Sequence, residues 1–163
     1  MFKRRYTLRV LPLAFSLLTL TACSGGLPDY DDLIPARIAN VKDMGEGVAI
    51  VLQSEGAPPV SIFIGHWEAR ALVMAMEEEE FPRPLSYDLL EQALERVEGE
   101  VRHLVVHSLK DNTYYGKLYI DMPDGEWVLD CRPSDGMVIV TRSGAPIYLA
   151  PQLFKKAIPI RRA

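Results

Sequence analysis

An Arg-Pro pair followed by a hydroxyl and a carboxylate stands twice in the chain, as Arg83-Pro84-Leu85-Ser86-Tyr87-Asp88 and as Arg132-Pro133-Ser134-Asp135. Each copy falls where a helix is predicted to begin. A helix start offers free backbone N–H groups and a partial positive charge, and a neighbouring guanidinium adds a two-pronged donor, so either place suits a phosphate. The same residues also have an architectural reading: Ser86 and Ser134 cap their helices, Pro84 and Pro133 stiffen the approach, and each arginine pairs with a nearby acid. Four carboxylates, Glu68, Asp88, Asp130 and Asp135, lie at the ends of predicted elements. Acids so placed either gather a divalent cation for phosphodiester hydrolysis or answer the helix dipole.

The remaining reactive side chains carry weaker signals. His66, His103 and His107 have no metal-ligand spacing; His66, beside Glu68 at a strand-to-helix junction, is the best placed of them, and His107 reads as a half-buried strand residue. Cys131 lies between Asp130 and Arg132, where a cation would lower its pKa and burial would leave it inert. The run Glu77 to Glu80 reads as the solvated end of a helix, and Lys155, Lys156, Arg161 and Arg162 form a basic cluster suited to phosphate or anionic headgroups. Walker, dinucleotide-binding and nucleophile-elbow patterns are absent from the sequence.

The elements that must position these residues follow a repeated plan. Apolar, β-branched runs at 36–41, 48–53 and 60–64, separated by Gly-containing turns, precede a helical pattern from His66 that puts Trp67, Ala71, Leu72, Ala75 and Met76 on one face. Runs at 101–109, 114–120 and 126–130 precede a second segment that opens at Pro133. Residues 137–141 favour a strand by propensity, but the repeat predicts a helix there. Between the halves a helix is predicted from Ser86 to Gly99, with Ser86 as cap, and a short strand at 147–149 and a last helix at 151–157 complete the chain. Six strands in two triplets, the extra short strand and four interspersed helices argue for an α+β fold with mixed or antiparallel sheets and an internal duplication of a strand-strand-strand-helix unit.

The first 22 residues read as a lipoprotein signal peptide: Lys3, Arg4, Arg5 and Arg9 precede an apolar run at 10–20, too short to span a bilayer, that ends in Leu20-Thr21-Ala22-Cys23. Cys23 is then the lipidation site, residues 23–34 a tether and 35–163 the folded domain. Ser24 after the cysteine points to the outer membrane, facing the periplasm. Removing residues 1–22 takes away four of the 18 basic residues and none of the 22 acidic ones, which leaves a formal charge of −8. Such a chain does not grip nucleic acid by bulk electrostatics, so any phosphate site must be local.

Taken together, Ile64-Gly65 with Glu68-Ala69, the run RPLSYDLL at 83–90, DCRPSDG at 130–136 and APIY at 145–148 resemble, in this order, the bifunctional nuclease (BFN) family over roughly residues 48–157. The resemblance implies nuclease activity on DNA and RNA, assisted by a divalent metal such as magnesium or manganese, in a domain that forms homo-oligomers. The matching motif positions are Glu68, Arg83, Asp88, Asp130, Arg132, Ser134 and Asp135; we infer their roles from their chemistry, with Glu68, Asp88, Asp130 and Asp135 as catalytic carboxylates, Asp88 and Asp135 as metal ligands, and Arg83, Arg132 and Ser134 as the phosphate-binding set. The usual family pattern is DARPSDA, so Cys131 and Gly136 stand where alanines are common. Family members are also usually cytosolic, whereas this chain carries an export signal. The alternative expectation is a noncatalytic binding or scaffold lipoprotein that keeps the fold.

Overall fold

The computed structural model describes residues 30–156. The signal-peptide segment, Cys23 and the basic pair Arg161 and Arg162 lie outside the described residues. Seven strands form one curled mixed sheet: β1 (Ile34–Asp43), β2 (Val48–Gln53), β3 (Val60–Ile64), β4 (Glu100–Lys110), β5 (Thr113–Met122), β6 (Gly125–Cys131) and β7 (Ile147–Leu149), in the order β3-β2-β1-β7-β4-β5-β6. Four helices accompany them: α1 (His66–Met76), α2 (Ser86–Arg96), α3 (Pro133–Ser143) and α4 (Gln152–Lys156).

The predicted triplets are two antiparallel meanders, each followed by a helix. They meet at β7, which pairs antiparallel with β1 and parallel with β4. The strand order is therefore symmetric about a three-residue seam, as the α+β duplication requires. α2 lies between the repeats and belongs to neither.

One core joins the halves. Ile50, Leu52 and Ile62 from the first meander and Leu104, Val106, Leu118 and Ile120 from the second are buried with Leu72 of α1 and Met137 to Val140 of α3. Burial on nearly every side explains why the β-branched run Val138-Ile139-Val140 is a helix despite its strand propensity: tertiary packing outweighs a few tenths of a kcal/mol per residue. Pro133 at the first helical position starts α3, and Gly144, left-handed at φ +73°, stops it.

Three local expectations are corrected. Ser86 is the first residue inside α2 and not its cap; Leu85 holds the cap position, and its N–H donates to Asp88 Oδ2 at 2.5 Å. Ser134 likewise lies inside α3, with Arg132 at the cap. At the end of α2 the left-handed residue is Glu98 at φ +55°, while Gly99 packs closely, since a Cβ there would lie 2.8 Å from Met122 Sδ and displace that side chain.

The two departures from the family pattern compensate each other. A Cβ on Gly136 would lie 3.1 Å from Cys131 Sγ and 2.5 Å from Leu104 Cδ1, so the larger side chain at 131 is matched by the missing one at 136. Gly136→Ala is therefore expected to destabilise the fold by about 1–2 kcal/mol despite its better helix propensity. Adding Cys131→Ala should recover about 0.5–1 kcal/mol of that loss, measured as coupling in a double-mutant cycle by urea denaturation. Strict additivity would refute the compensation.

Candidate active site

Glu68, Asp88 and Asp135 each occupy the third position of a helix, counted from caps Gly65, Leu85 and Arg132. That position lets a carboxylate reach free N–H groups and the positive end of the dipole. Sequence spacing cannot show which of the three helix starts meet in space.

Those of α1 and α3 do. Arg132 donates through Nε to Asp135 Oδ2 at 2.8 Å and through Nη2 to Asp135 Oδ1 at 3.3 Å, and its Nη1 reaches Glu68 Oε1 at 3.1 Å. Glu68 and Asp135 are thus equivalent positions in the two repeats, brought onto one guanidinium. Gly65 makes room for this arrangement, because a Cβ there would fall 2.5 Å from Glu68 Oε2. Arg132 keeps 66% of its side chain exposed, while Glu68 and Asp135 keep 28% and 30%. The cation is fixed by its carboxylates yet still open to a ligand, and the two partners hold its pKa above the usual arginine value.

A fourth member was not singled out from the sequence. Tyr87 on α2 donates its hydroxyl to Asp135 Oδ1 at 3.0 Å, and burial followed by the Asp135 charge pushes its pKa up to about 12. It stays a neutral donor. Its place inside the RPLSYD run was the available signal.

Two members of this cluster, Glu68 and Arg132, line one wall of a cleft of about 300 Å³, with Asp135 and Tyr87 behind them. Glu68, Arg132 and Ser134 face Asn112, Thr113 and Tyr114, at the tip of the β4–β5 hairpin. Asp111 and Asn112, at φ +47° and +59°, make the two-residue left-handed turn that aims this tip.

The other predicted residues lie elsewhere. Asp88 is bound to Arg142 of α3, which also holds Glu91 through Nε at 2.6 Å and Nη2 at 2.8 Å. Asp130 is exposed and pairs across strands with Lys117; Cys131 points at Gly116 and Gly136, so alternation turns Asp130 to the opposite face of the sheet. Arg83 is exposed in the segment before α2. His66 turns to Asp43, 3.6 Å away, and His103 is buried against Tyr119 at a ring separation of 4.3 Å.

Asp88 and Asp135, the expected metal pair, thus belong to different ion networks. Among the described residues no three His, Cys, Asp or Glu side chains are grouped to hold a metal ion. At the cleft both carboxylates are already bonded to Arg132. The donor set in this arrangement does not fit a divalent cation, and no chemical step is assigned to one.

A family model for the bifunctional nuclease domain matches residues 50–160. The chain belongs to this family. It is 28% identical over 110 residues to an uncharacterized protein of Mycobacterium tuberculosis, covering 68% of this chain and 65% of that one. It is also 28% identical over 118 residues to bifunctional nuclease 1 of Oryza sativa subsp. japonica, covering 69% of this chain. The chain spans just under two thirds of the mycobacterial relative and 36% of the rice protein. The family match begins within β2, leaving β1 outside it, and takes in the second repeat and all of the Glu68–Arg132–Asp135 cluster.

Cys131, next to that cluster, is partly buried, and burial, with Asp130 and Asp135 nearby, pushes its pKa up to about 11, the direction of the inert reading. Iodoacetamide at pH 8 is expected to modify it at least about tenfold more slowly than a free cysteine, as read by mass spectrometry of the peptide; labelling at the free rate would contradict the burial.

Proposed function

We propose that the chain is a phosphodiester hydrolase acting on nucleic acid at the cleft lined by Glu68, Arg132 and Ser134, with Asp135 bonded to Arg132 behind it. The observation that carries this reading is the exposed guanidinium held between two helix starts. Each helix N-terminus contributes roughly half a positive charge, so Arg132 and the two dipoles about balance Glu68 and Asp135. This gives local compensation in a chain of negative overall charge.

In this reading Arg132 binds the phosphate with the N–H groups its carboxylates leave free and stabilises the charge that develops on the phosphoryl oxygens. Asp135, itself held by Tyr87, fixes the orientation of the guanidinium. Glu68, attached by one bond only, is the group best placed to accept a proton from an attacking water. Ser134, at the same wall, adds a hydroxyl. Arg83, Asp88 and Asp130 lie outside this arrangement and have no assigned step.

The domain from residue 24 to 163 should be incubated with single- and double-stranded DNA and with RNA, in magnesium, manganese or EDTA. Arg132→Ala and Asp135→Asn are expected to lower cleavage by about a hundredfold, with Asp130→Asn within about twofold of wild type on the same scale. The metal arms decide whether a cation joins the cleft when substrate is present. Absence of cleavage under every condition would favour the noncatalytic binding lipoprotein, the reading that the −8 charge supports.

Anchoring at the outer membrane through Cys23 belongs to the same proposal and rests on the order of basic, apolar and small-Cys segments. Cells expressing the chain should incorporate radiolabelled palmitate into it, and Cys23→Ala should abolish the label. Undiminished labelling of the variant would remove the anchor.

A further inference from the structure

Trp67 is the most exposed large apolar side chain among the described residues, at 83%. The periodicity of α1 puts it on the face that carries Leu72 and Ala75, yet those two are buried and Trp67 is left in solvent at the helix start. It stands at the rim of a hollow of about 200 Å³ between α1 and the start of α2, walled also by Phe81, Leu85 and Tyr87. Three aromatic rings thus border one small, largely apolar space.

We propose that this hollow is a nucleobase subsite, taking one unpaired base of a strand whose phosphate lies on Arg132; the proposal rests on the hydrolase reading of the neighbouring cleft. The hollow and the cleft share a wall. Tyr87 lines the hollow, its hydroxyl donates to Asp135 Oδ1 at 3.0 Å, and Asp135 Oδ2 accepts from Arg132 Nε at 2.8 Å. Trp67 and Glu68, adjacent in α1, divide in the same way, the first lining the hollow and the second the cleft. Two hydrogen bonds from ring to guanidinium span about the reach that a sugar gives between a base and its phosphate.

The lining suits a base and rejects a phosphate. Every base has a π-face, and stacking on an aromatic side chain contributes about 1–3 kcal/mol per base whatever the sequence. Glu79, the one acid on the hollow's wall, repels a phosphate and leaves the uncharged part of a nucleotide as the fitting occupant. Arg70, one turn along α1 from Trp67, lines the same hollow, is exposed and makes no ion pair among the described residues. Arg132, the aromatic rings and Arg70 therefore alternate as phosphate, base and phosphate do along a strand. A paired base lies inside the duplex and reaches a hollow of this size only by leaving the stack, so the subsite selects single strands.

The test uses the full chain in EDTA with three dye-labelled probes: a single-stranded deoxyadenosine oligonucleotide, an abasic strand of the same length and a blunt duplex. Binding is followed by anisotropy of the dye. Trp127→Phe leaves Trp67 as the only tryptophan, and with unlabelled oligonucleotide the fluorescence of that indole should be quenched as a base stacks on it. The single strand should bind about tenfold more tightly than the abasic strand or the duplex, and Trp67→Ala should remove that advantage while leaving abasic binding unchanged. Trp67→Phe should keep most of it, and Arg132→Ala should weaken the single and abasic strands alike. Trp67 is exposed, so the melting temperature of Trp67→Ala should match wild type; if that variant unfolds, quenching of the native Trp67 still decides. Equal binding of single and abasic strands, an unquenched Trp67 at saturation, or a Trp67→Ala chain that binds as wild type overturns the inference, and cleavage lost in Arg132→Ala would then leave the hydrolase reading standing. Base-dependent binding with quenching but no cleavage under any metal condition supports the subsite and removes the hydrolase. A chain that binds none of the probes overturns both.

Discussion

Two helices that start side by side, each with a carboxylate in its first turn, bring two negative charges together unless a cation lies between them. Arg132 is that cation. Its fork spans Asp135 on its own helix and Glu68 on the helix of the other repeat, so the two halves meet at one guanidinium as well as at the buried core. Neighbouring residues fit around this arrangement: Gly65, with no side chain, leaves room for Glu68 to fold back, and Tyr87 donates to Asp135 from α2.

The elements were largely legible in the sequence because periodicity and turn chemistry agree with the fold. The strand triplets, the Asp111-Asn112 turn and the helix under Val138-Ile139-Val140 all follow from patterns that repeat or from residues with special backbone freedom. The site was legible only as a set of helix starts. RPLSYD and RPSD look alike, yet α2 lies outside the repeated unit, and the partner of Asp135 in the duplication is Glu68, which has no Arg-Pro before it. Asp130 was separable in principle, since adjacent strand residues point to opposite faces and Cys131 takes the inner one. Arg142 gave no signal, because its two acids lie more than fifty positions earlier in the chain.

Charge is managed in compartments. Arg132 and Arg142 each bind two carboxylates in separate networks, and the partly buried thiol of Cys131 has its pKa raised by burial and by Asp130 and Asp135. A chain so acidic overall can still present one well-oriented cation, because low exposure of the carboxylates and their bonds to the arginines limit how far their field reaches. The Cys131–Gly136 exchange belongs to the same neighbourhood and keeps its volume while changing which residue supplies it.

The seam strand has a consequence for the order of events when the protein is made. β7 is the only strand that pairs with both β1 and β4, and it is formed by residues 147–149, close to the end of the chain. Until those residues emerge, the first meander has a bare inner edge and the second has nothing to join it to. The sheet therefore closes only after residues 147–149 have been made, so both meanders wait on a three-residue strand that follows them in the chain.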